Sequence, residues 1–277
     1  MFRLYELDGS NSLKISEEES SVIDIHCHIL PGIDDGAKTL TDSMEMAQQA
    51  VREGIHTIIA TPHHKDGVFE NKKADIIQKV DKLNTYITKE NIPLRVLPGQ
   101  EIRLYGEIVT DYEKGEILPL TGNSSYIFIE FPPRLIPLYT EQLLFDIQLK
   151  GLHPIIVHPE RNVAFIKQPE LLYQLVRNGA FTQITASSLV GYFGKKIQSF
   201  TRQLIEANLA HFIASDAHNV TSRDFKMEIA YDFLDKKYGN KAANYFTKNA
   251  ELLIGGEYVM KAPPKYIKKK KKFFGFI

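Results

Sequence analysis

Short apolar runs punctuate the chain at residues 22–25, 57–60, 94–97, 126–129, 154–157, 181–185 and 212–214. Runs of this length, rich in β-branched residues and mostly without polar alternation, predict seven strands buried on both faces. Between them apolar positions recur at helical spacing, which predicts helices over 40–52, 72–89, 139–150, 170–177 and 195–207. Thr39-x-x-Asp42 reads as the start signal of the first helix, and Gly54, Gly151 and Gly179 stand where helices should stop. Strand alternating with helix implies parallel pairing, because a parallel pair needs a crossover and a helix usually supplies it. The fold class is therefore α/β, with a closed TIM-like (β/α)7 barrel as the first reading. An open doubly wound sheet is the alternative, but its glycine-rich phosphate turn after the first strand is missing. His26-Cys27-His28 stands there instead.

Composition narrows the picture. A chain of 277 residues with 43% hydrophobic content can bury one full core. Thirty-four Lys and Arg balance 34 Asp and Glu, so no global field points toward nucleic acid. No apolar run is long enough to cross a bilayer, and the chain reads as cytoplasmic. Cys27, the single cysteine, cannot make an internal disulfide and is expected to be a small buried core residue. Residues 22–260 form the expected globular domain. Residues 1–21 read as an extension that adds nothing to it, either disordered or a misassigned start with Glu17-Glu18-Glu19 a translated ribosome-binding site. Residues 261–277 read as a basic and aromatic tail. There Lys268 to Lys272 precede Phe273, Phe274 and Phe276, a combination suited to peripheral contact with an anionic membrane surface.

The chemistry lies in where the ionisable residues fall. His26 and His28 follow strand one, His63 and His64 strand two, Glu101 strand three, Glu130 strand four, His158 strand five, and Asp216 and His218 strand seven. Strand six ends in Ser187-Ser188, which contribute less. In a parallel barrel the carboxyl ends of all strands share one face, and that face is where a site is built. One His or Glu at a strand end is commonly a cap, but so many together would repel one another unless cations sat among them. His26-x-His28 sends two imidazoles to one side, where both can grip one ion, and Asp216-x-His218 repeats the spacing. Imidazole with carboxylate suits zinc, manganese or iron.

These residues in turn carry a resemblance. The segments Ile23-Asp24-Ile25-His26-Cys27-His28-Ile29-Leu30-Pro31-Gly32-Ile33-Asp34-Asp35-Gly36-Ala37, Ala60-Thr61-Pro62-His63-His64, Pro98-Gly99-Gln100-Glu101-Ile102-Arg103, His158-Pro159-Glu160-Arg161-Asn162 and Ala214-Ser215-Asp216-Ala217-His218-Asn219 resemble the polymerase-and-histidinol-phosphatase (PHP) superfamily. Within it they are similar to the manganese-dependent bacterial tyrosine phosphatases of capsule and exopolysaccharide loci. The resemblance implies a distorted (β/α)7 barrel holding three manganese ions, with zinc, iron or magnesium as substitutes. By matching motif it places His26, His28, Glu101 and Asp216 on the first ion and Glu101, Glu130 and His158 on the second. Asp35, His63 and His218 fall on the third. The implied substrate is phosphotyrosine on a bacterial tyrosine kinase. A small-molecule phosphatase of the histidinol-phosphate type, or a phosphodiesterase, is the competing enzyme reading, and a non-catalytic scaffold is the third.

Phosphate monoesters hydrolyse very slowly unaided, so an enzyme must supply a nucleophile and neutralise developing charge, and clustered divalent ions do both. Arg161 and Arg223 are the candidate phosphate clamps, since a planar guanidinium binds two phosphate oxygens at once. His64 is the candidate acid for the leaving group. A cysteine-based phosphatase needs an Arg six residues after its Cys, and the residue so placed after Cys27 is Ile33, which excludes that mechanism.

Overall fold

A computed structural model describes residues 22–267; the expectations for residues 1–21 and 268–277 fall outside the described residues. The described chain forms strands β1 (Val22–Cys27), β2 (Ile55–Ala60), β3 (His63–His64), β4 (Arg95–Pro98), β5 (Glu101–Arg103), β6 (Tyr126–Glu130), β7 (His153–Val157), β8 (Phe181–Thr185) and β9 (Phe212–Ala214). Its helices are α1 (Leu40–Arg52), α2 (Lys73–Lys89), α3 (Ile108–Glu113), α4 (Thr140–Leu149), α5 (Val163–Lys167), α6 (Pro169–Arg177), α7 (Ala186–Val190), α8 (Lys195–Glu206), α9 (Met227–Tyr238) and α10 (Asn240–Ile254). Thr39 caps α1 through a reciprocal box with Asp42, as its sequence signal requires.

All pairings between these strands are parallel, in the orders β1-β2-β4 and β3-β5-β6-β7-β8-β9. The two sheets are tiers of one barrel. β2 and β3 are a single strand broken at Thr61-Pro62, and β4 and β5 a single strand broken at Gly99-Gln100. Backbone bonds cross the breaks from Thr61 N to Cys27 O (3.0 Å) and from Glu101 N to Pro62 O (3.0 Å). The ring closes between β9 and β1, where Asp216 N donates to His26 O (2.9 Å) and His28 N to Ala217 O (2.8 Å). Seven strands therefore encircle one core, and the distortion lies in the two breaks.

The barrel interior is filled by Ile23, Ile25, Ile59, Phe128, Val157 and Phe212, with Leu253 and Val259 closing the lower end. A larger layer, including Ile58, Ile129, Ile156 and Ile213, lies between strands and helices. Inward positions alternate with outward ones, so the interior set continues upward into polar residues: Phe128 into Glu130, Ala214 toward Asp216, Ile59 into His63. β1 breaks the alternation. Its register against β2 shifts between Asp24 and Cys27, and this bulge lets Ile25 and His26, though adjacent, both pack inside, His26 against Phe128 at 4.9 Å.

Two boundaries differ from the sequence reading. Residues 261–267 are not a free tail: Lys265 N donates to Ala207 O (2.8 Å), Lys261 Nζ to Ala180 O (2.8 Å), and Tyr266 stacks on Tyr173 at 3.8 Å. Ser187 and Ser188 do not extend strand six but lie buried in α7. Among the described residues no helix is long and apolar enough to cross a membrane.

Candidate active site

The upper end of the barrel gathers all nine expected metal-site residues into one connected cluster. His26 Nε2 and His28 Nε2 lie 3.3 Å apart, and both face Glu101 Oε2 at 3.4 Å. Asp216 Oδ1 approaches the same two nitrogens at 3.5 and 3.4 Å. His63 stands between two groups, its Nδ1 3.0 Å from Glu101 Oε2 and 3.8 Å from Glu130 Oε2, its Nε2 3.3 Å from Asp35 Oδ1. His218 Nε2 meets the same Asp35 oxygen at 3.2 Å, and His158 Nε2 meets Glu101 Oε1 at 2.8 Å.

Local backbone geometry aims these side chains. His158 and Asp216 both have left-handed backbone, φ of 34° and 55°, which turns each strand end back over the barrel mouth. Asp216 and His218 consequently do not repeat the paired geometry of His26 and His28: Asp216 faces the two imidazoles, while His218 turns to Asp35. Gly36 lies over His28 so closely that a Cβ there would come within 2.1 Å of the His28 carbonyl oxygen, so no other residue fits.

Three sets have donor atoms within 4.8 Å of one another: His26, His28 and Glu101; His63, Glu101 and Glu130; and His28, Asp35, His63 and His218. Four buried atoms of the cluster, His63 Nδ1, Glu101 Oε2, Glu130 Oε2 and His218 Nε2, meet charged neighbours but make no well-oriented hydrogen bond. Buried polar atoms are rarely left so, and this donor set of imidazoles and carboxylates fits divalent ions. The carboxylates and imidazoles of the cluster shift one another's titration. Against the cost of burial, His26 and His63 hold the Glu101 carboxyl well below its usual range, and Arg161 and His26 do the same for Asp216. Against burial again, Glu101 and Asp35 lift His63 to about 10. Burial, reinforced by Glu101, pushes Glu130 up to about 7.

Several residues that the sequence reading left without a role hold the cluster in place. Asp34 Oδ2 lies 2.7 Å from His28 Nδ1, and its other oxygen accepts the Gly36 N–H at 2.9 Å. Gln183, inside β8, sets its Oε1 2.9 Å from His26 Nδ1, so strand six contributes from its middle and not from its end. Such partners fix which nitrogen of each imidazole is free. Asp24 accepts the Ser215 N–H (2.9 Å) and Ser215 Oγ–H (2.5 Å), tying β1 to the turn that carries Asp216. Arg103 Nη2 pairs with Glu130 Oε2 at 2.9 Å, and its signal was available: two residues beyond Glu101 on one strand, it must share that residue's face.

A cavity of about 260 Å³ opens beside the cluster. Its lining combines Glu130, His158, Asp216, Arg161 and Arg223 with the apolar Phe131, Pro133 and Phe165. Arg161 Nη2 lies 2.6 Å from Asp216 Oδ2, and Arg223 reaches the same oxygen at 3.3 Å and Asp35 Oδ2 at 3.2 Å. His64 is elsewhere. On β3 it is buried and is not among the residues lining this cavity, so it is not placed to protonate a leaving group here.

Comparison with known proteins bears on the same residues. The family model for capsular polysaccharide synthesis, CpsB/CapC, matches residues 22–255. The tyrosine-protein phosphatase YwqE of Bacillus subtilis is 52% identical over 255 residues, covering 92% of this chain and 100% of that one. A putative tyrosine-protein phosphatase, CapC of Staphylococcus aureus, is 38% identical over 256 residues, with 92% and 100% covered. A crystal structure from work on YwqE of B. subtilis and CpsB of Streptococcus pneumoniae, described as unique metal-dependent tyrosine phosphatases, superposes with a TM-score of 0.87 at 52% identity, covering 90% of this chain and 100% of that one.

Proposed function

Since the chain belongs to the CpsB/CapC family of capsular polysaccharide synthesis, we propose that it is a metal-dependent protein-tyrosine phosphatase, working best with three manganese ions on a bacterial tyrosine kinase and its substrates. The observation that carries this reading is the buried cluster of imidazoles and carboxylates beside a cavity lined by two arginines and by the apolar Phe131, Pro133 and Phe165. His26, His28, Glu101 and Asp216, then Glu101, Glu130 and His158, then Asp35, His63 and His218 are the residues that would hold the ions. Glu101, which belongs to two of these groups and faces four imidazoles, would be shared between them.

Bound divalent ions supply a nucleophile from water at neutral pH and offset charge on the phosphoryl oxygens. The remaining work belongs to the chain. Arg161 and Arg223 orient the phosphate through paired N–H donors, which fixes the line of attack. Phe131, Pro133 and Phe165 receive an aryl ring and exclude water from the reacting bond. A tyrosinate leaving group, with a parent pKa of about 10, needs little protonation to depart, so the site does not depend on His64.

The test is metal analysis of freshly purified protein alongside assays on a phosphotyrosine peptide and on histidinol phosphate with manganese, zinc or magnesium. Chelation should abolish turnover and manganese should restore it best, with the peptide preferred. Undiminished turnover after exhaustive chelation would refute the metal role, and preference for histidinol phosphate would favour the small-molecule reading. Membrane contact through residues 268–277 is part of the same proposal: truncation after Ile267 should spare aryl phosphate hydrolysis but weaken binding to anionic vesicles, increasingly so against added salt. Equal vesicle binding by both forms at low salt would reject it.

A further inference from the structure

The loop between β6 and α4 has a composition that its position does not explain. Residues 131–139 hold one charged residue, Arg134, among three prolines and five apolar or aromatic side chains. Loops that run over a surface are ordinarily polar. Here Leu135 is 53% exposed, Tyr139 46%, and Leu138 entirely so. Leu138 and Leu135 gain nothing from this exposure, and a contiguous apolar surface of this kind marks a place where something binds.

The base of the loop is fixed to the site. Asn162 Nδ2 donates to Pro132 O at 2.8 Å and Val163 N to Pro133 O at 3.0 Å, so the loop is tied to the residues that directly follow Arg161. Phe131 packs edge-on against Phe165 at 5.5 Å. Phe131 and Pro133 line the cavity, and the exposed Leu135 and Leu138 follow them on the same loop. Prolines at three of the nine positions restrict the loop's conformations, which lowers the entropy lost when a partner settles on it.

We propose that this loop is a docking shelf for apolar residues that flank the phosphotyrosine of a polypeptide substrate. The inference rests on the assignment of the cavity to an aryl phosphate. A cavity of about 260 Å³ has room for one phosphorylated side chain. The residues on either side of it must then lie outside the cavity, and Leu135 and Leu138, two and five residues beyond the lining residue Pro133, are exposed to meet them. Continuity with the cavity wall favours the substrate chain over a second copy of this protein as the occupant.

The experiment uses the full chain loaded with manganese and three substrates: phenyl phosphate, a phosphotyrosine peptide with leucine or isoleucine on both sides, and the same peptide with glycine on both sides. The wild type should favour the apolar peptide over the glycine peptide about tenfold in kcat/KM, chiefly through KM, as expected for partial burial of two aliphatic side chains. The double variant Leu135→Ser/Leu138→Ser should lose that preference and keep the wild-type rate on phenyl phosphate. A wild type indifferent to the flanks, or a variant that keeps the preference, overturns the shelf. A fall in sedimentation coefficient of the variant would overturn it in favour of a contact between copies. Absence of phenyl phosphate hydrolysis by the wild type would instead sink the underlying assignment, and the shelf with it, so the two failures are distinct.

Discussion

Replacing Arg161 with alanine separates phosphate binding from metal binding. Its Nη2 lies 2.6 Å from Asp216 Oδ2, and its guanidinium carbon lies 5.5 Å from the Phe193 ring centre, so the fork is held at the cavity and does not sweep through solvent. Removing one preorganised donor to a developing oxyanion lowers kcat by about 100- to 1000-fold, or about 2.7–4 kcal/mol. Arg223 shares the same Asp216 oxygen at 3.3 Å, so one cation stays beside that carboxylate when the other is removed. The expected loss is therefore at the lower end, about 100-fold, with bound metal nearly unchanged. Arg161→Lys should recover only part, because it restores charge without the planar fork. The assay is kcat on phenyl phosphate with metal content measured on the same samples by emission spectroscopy. A variant within threefold of the wild-type rate, or one whose metal leaves together with its activity, would refute the assignment of Arg161 to the phosphate.

Glu101 offers the contrasting case: it faces His26, His28, His63 and His158, so Glu101→Gln should lose both bound metal and activity, and full metal retention would count against its central place. His158→Ala should lose metal as well, in contrast to Arg161→Ala, which metal analysis of the two variants side by side would show. Burial pushes His211 down to about 3, below its usual value near 6.5. Between these values the unfolded chain binds the extra proton, so the stability this group contributes is full above pH 6.5 and falls on acidification by about 1.4 kcal/mol per pH unit. His211→Gln should flatten that acid limb in chemical denaturation of metal-free protein, and an unchanged slope would contradict it. Ending the chain after Met260 removes the Lys261 and Lys265 hydrogen bonds and the Tyr266 stack, and should lower unfolding stability by about 2 kcal/mol. A truncated protein as stable as the full chain would return these residues to the tail.

Sequence made the barrel legible where burial was two-sided. All seven expected strands are present because apolar runs such as Ile127-Phe128-Ile129 serve the interior and the helix layer at once. β3 and β5 were not foreseen: His63-His64 and Glu101-Ile102-Arg103 are too short and polar to read as strands, and their pairing is imposed by the barrel. Helices α9 and α10 were missed for a different reason. Lys226 and Gly239, at their N-caps, have positive φ and make no side-chain cap bond, so the usual start signals are absent. Most residues gathered at the barrel mouth were legible as a group because they fall at strand ends, yet Asp34 and Gln183 were not, since their value lies in which imidazole nitrogen they meet.

The two breaks at Thr61-Pro62 and Gly99-Gln100 divide the barrel unequally for anyone who would redesign it. On the unbroken strand β6 a substitution at Phe128 passes along a continuous ladder toward Glu130. On the broken ones the apolar lower tier ends before His63 and Glu101 begin, so repacking near Leu97 transmits less displacement to them. Gly99 limits that freedom, because a Cβ there would come within 2.7 Å of Ile59 Cγ2. Variation in metal preference should accordingly be easiest to obtain on the His63 and Glu101 side of the mouth, where new ligands can be tried above a core that need not be rebuilt.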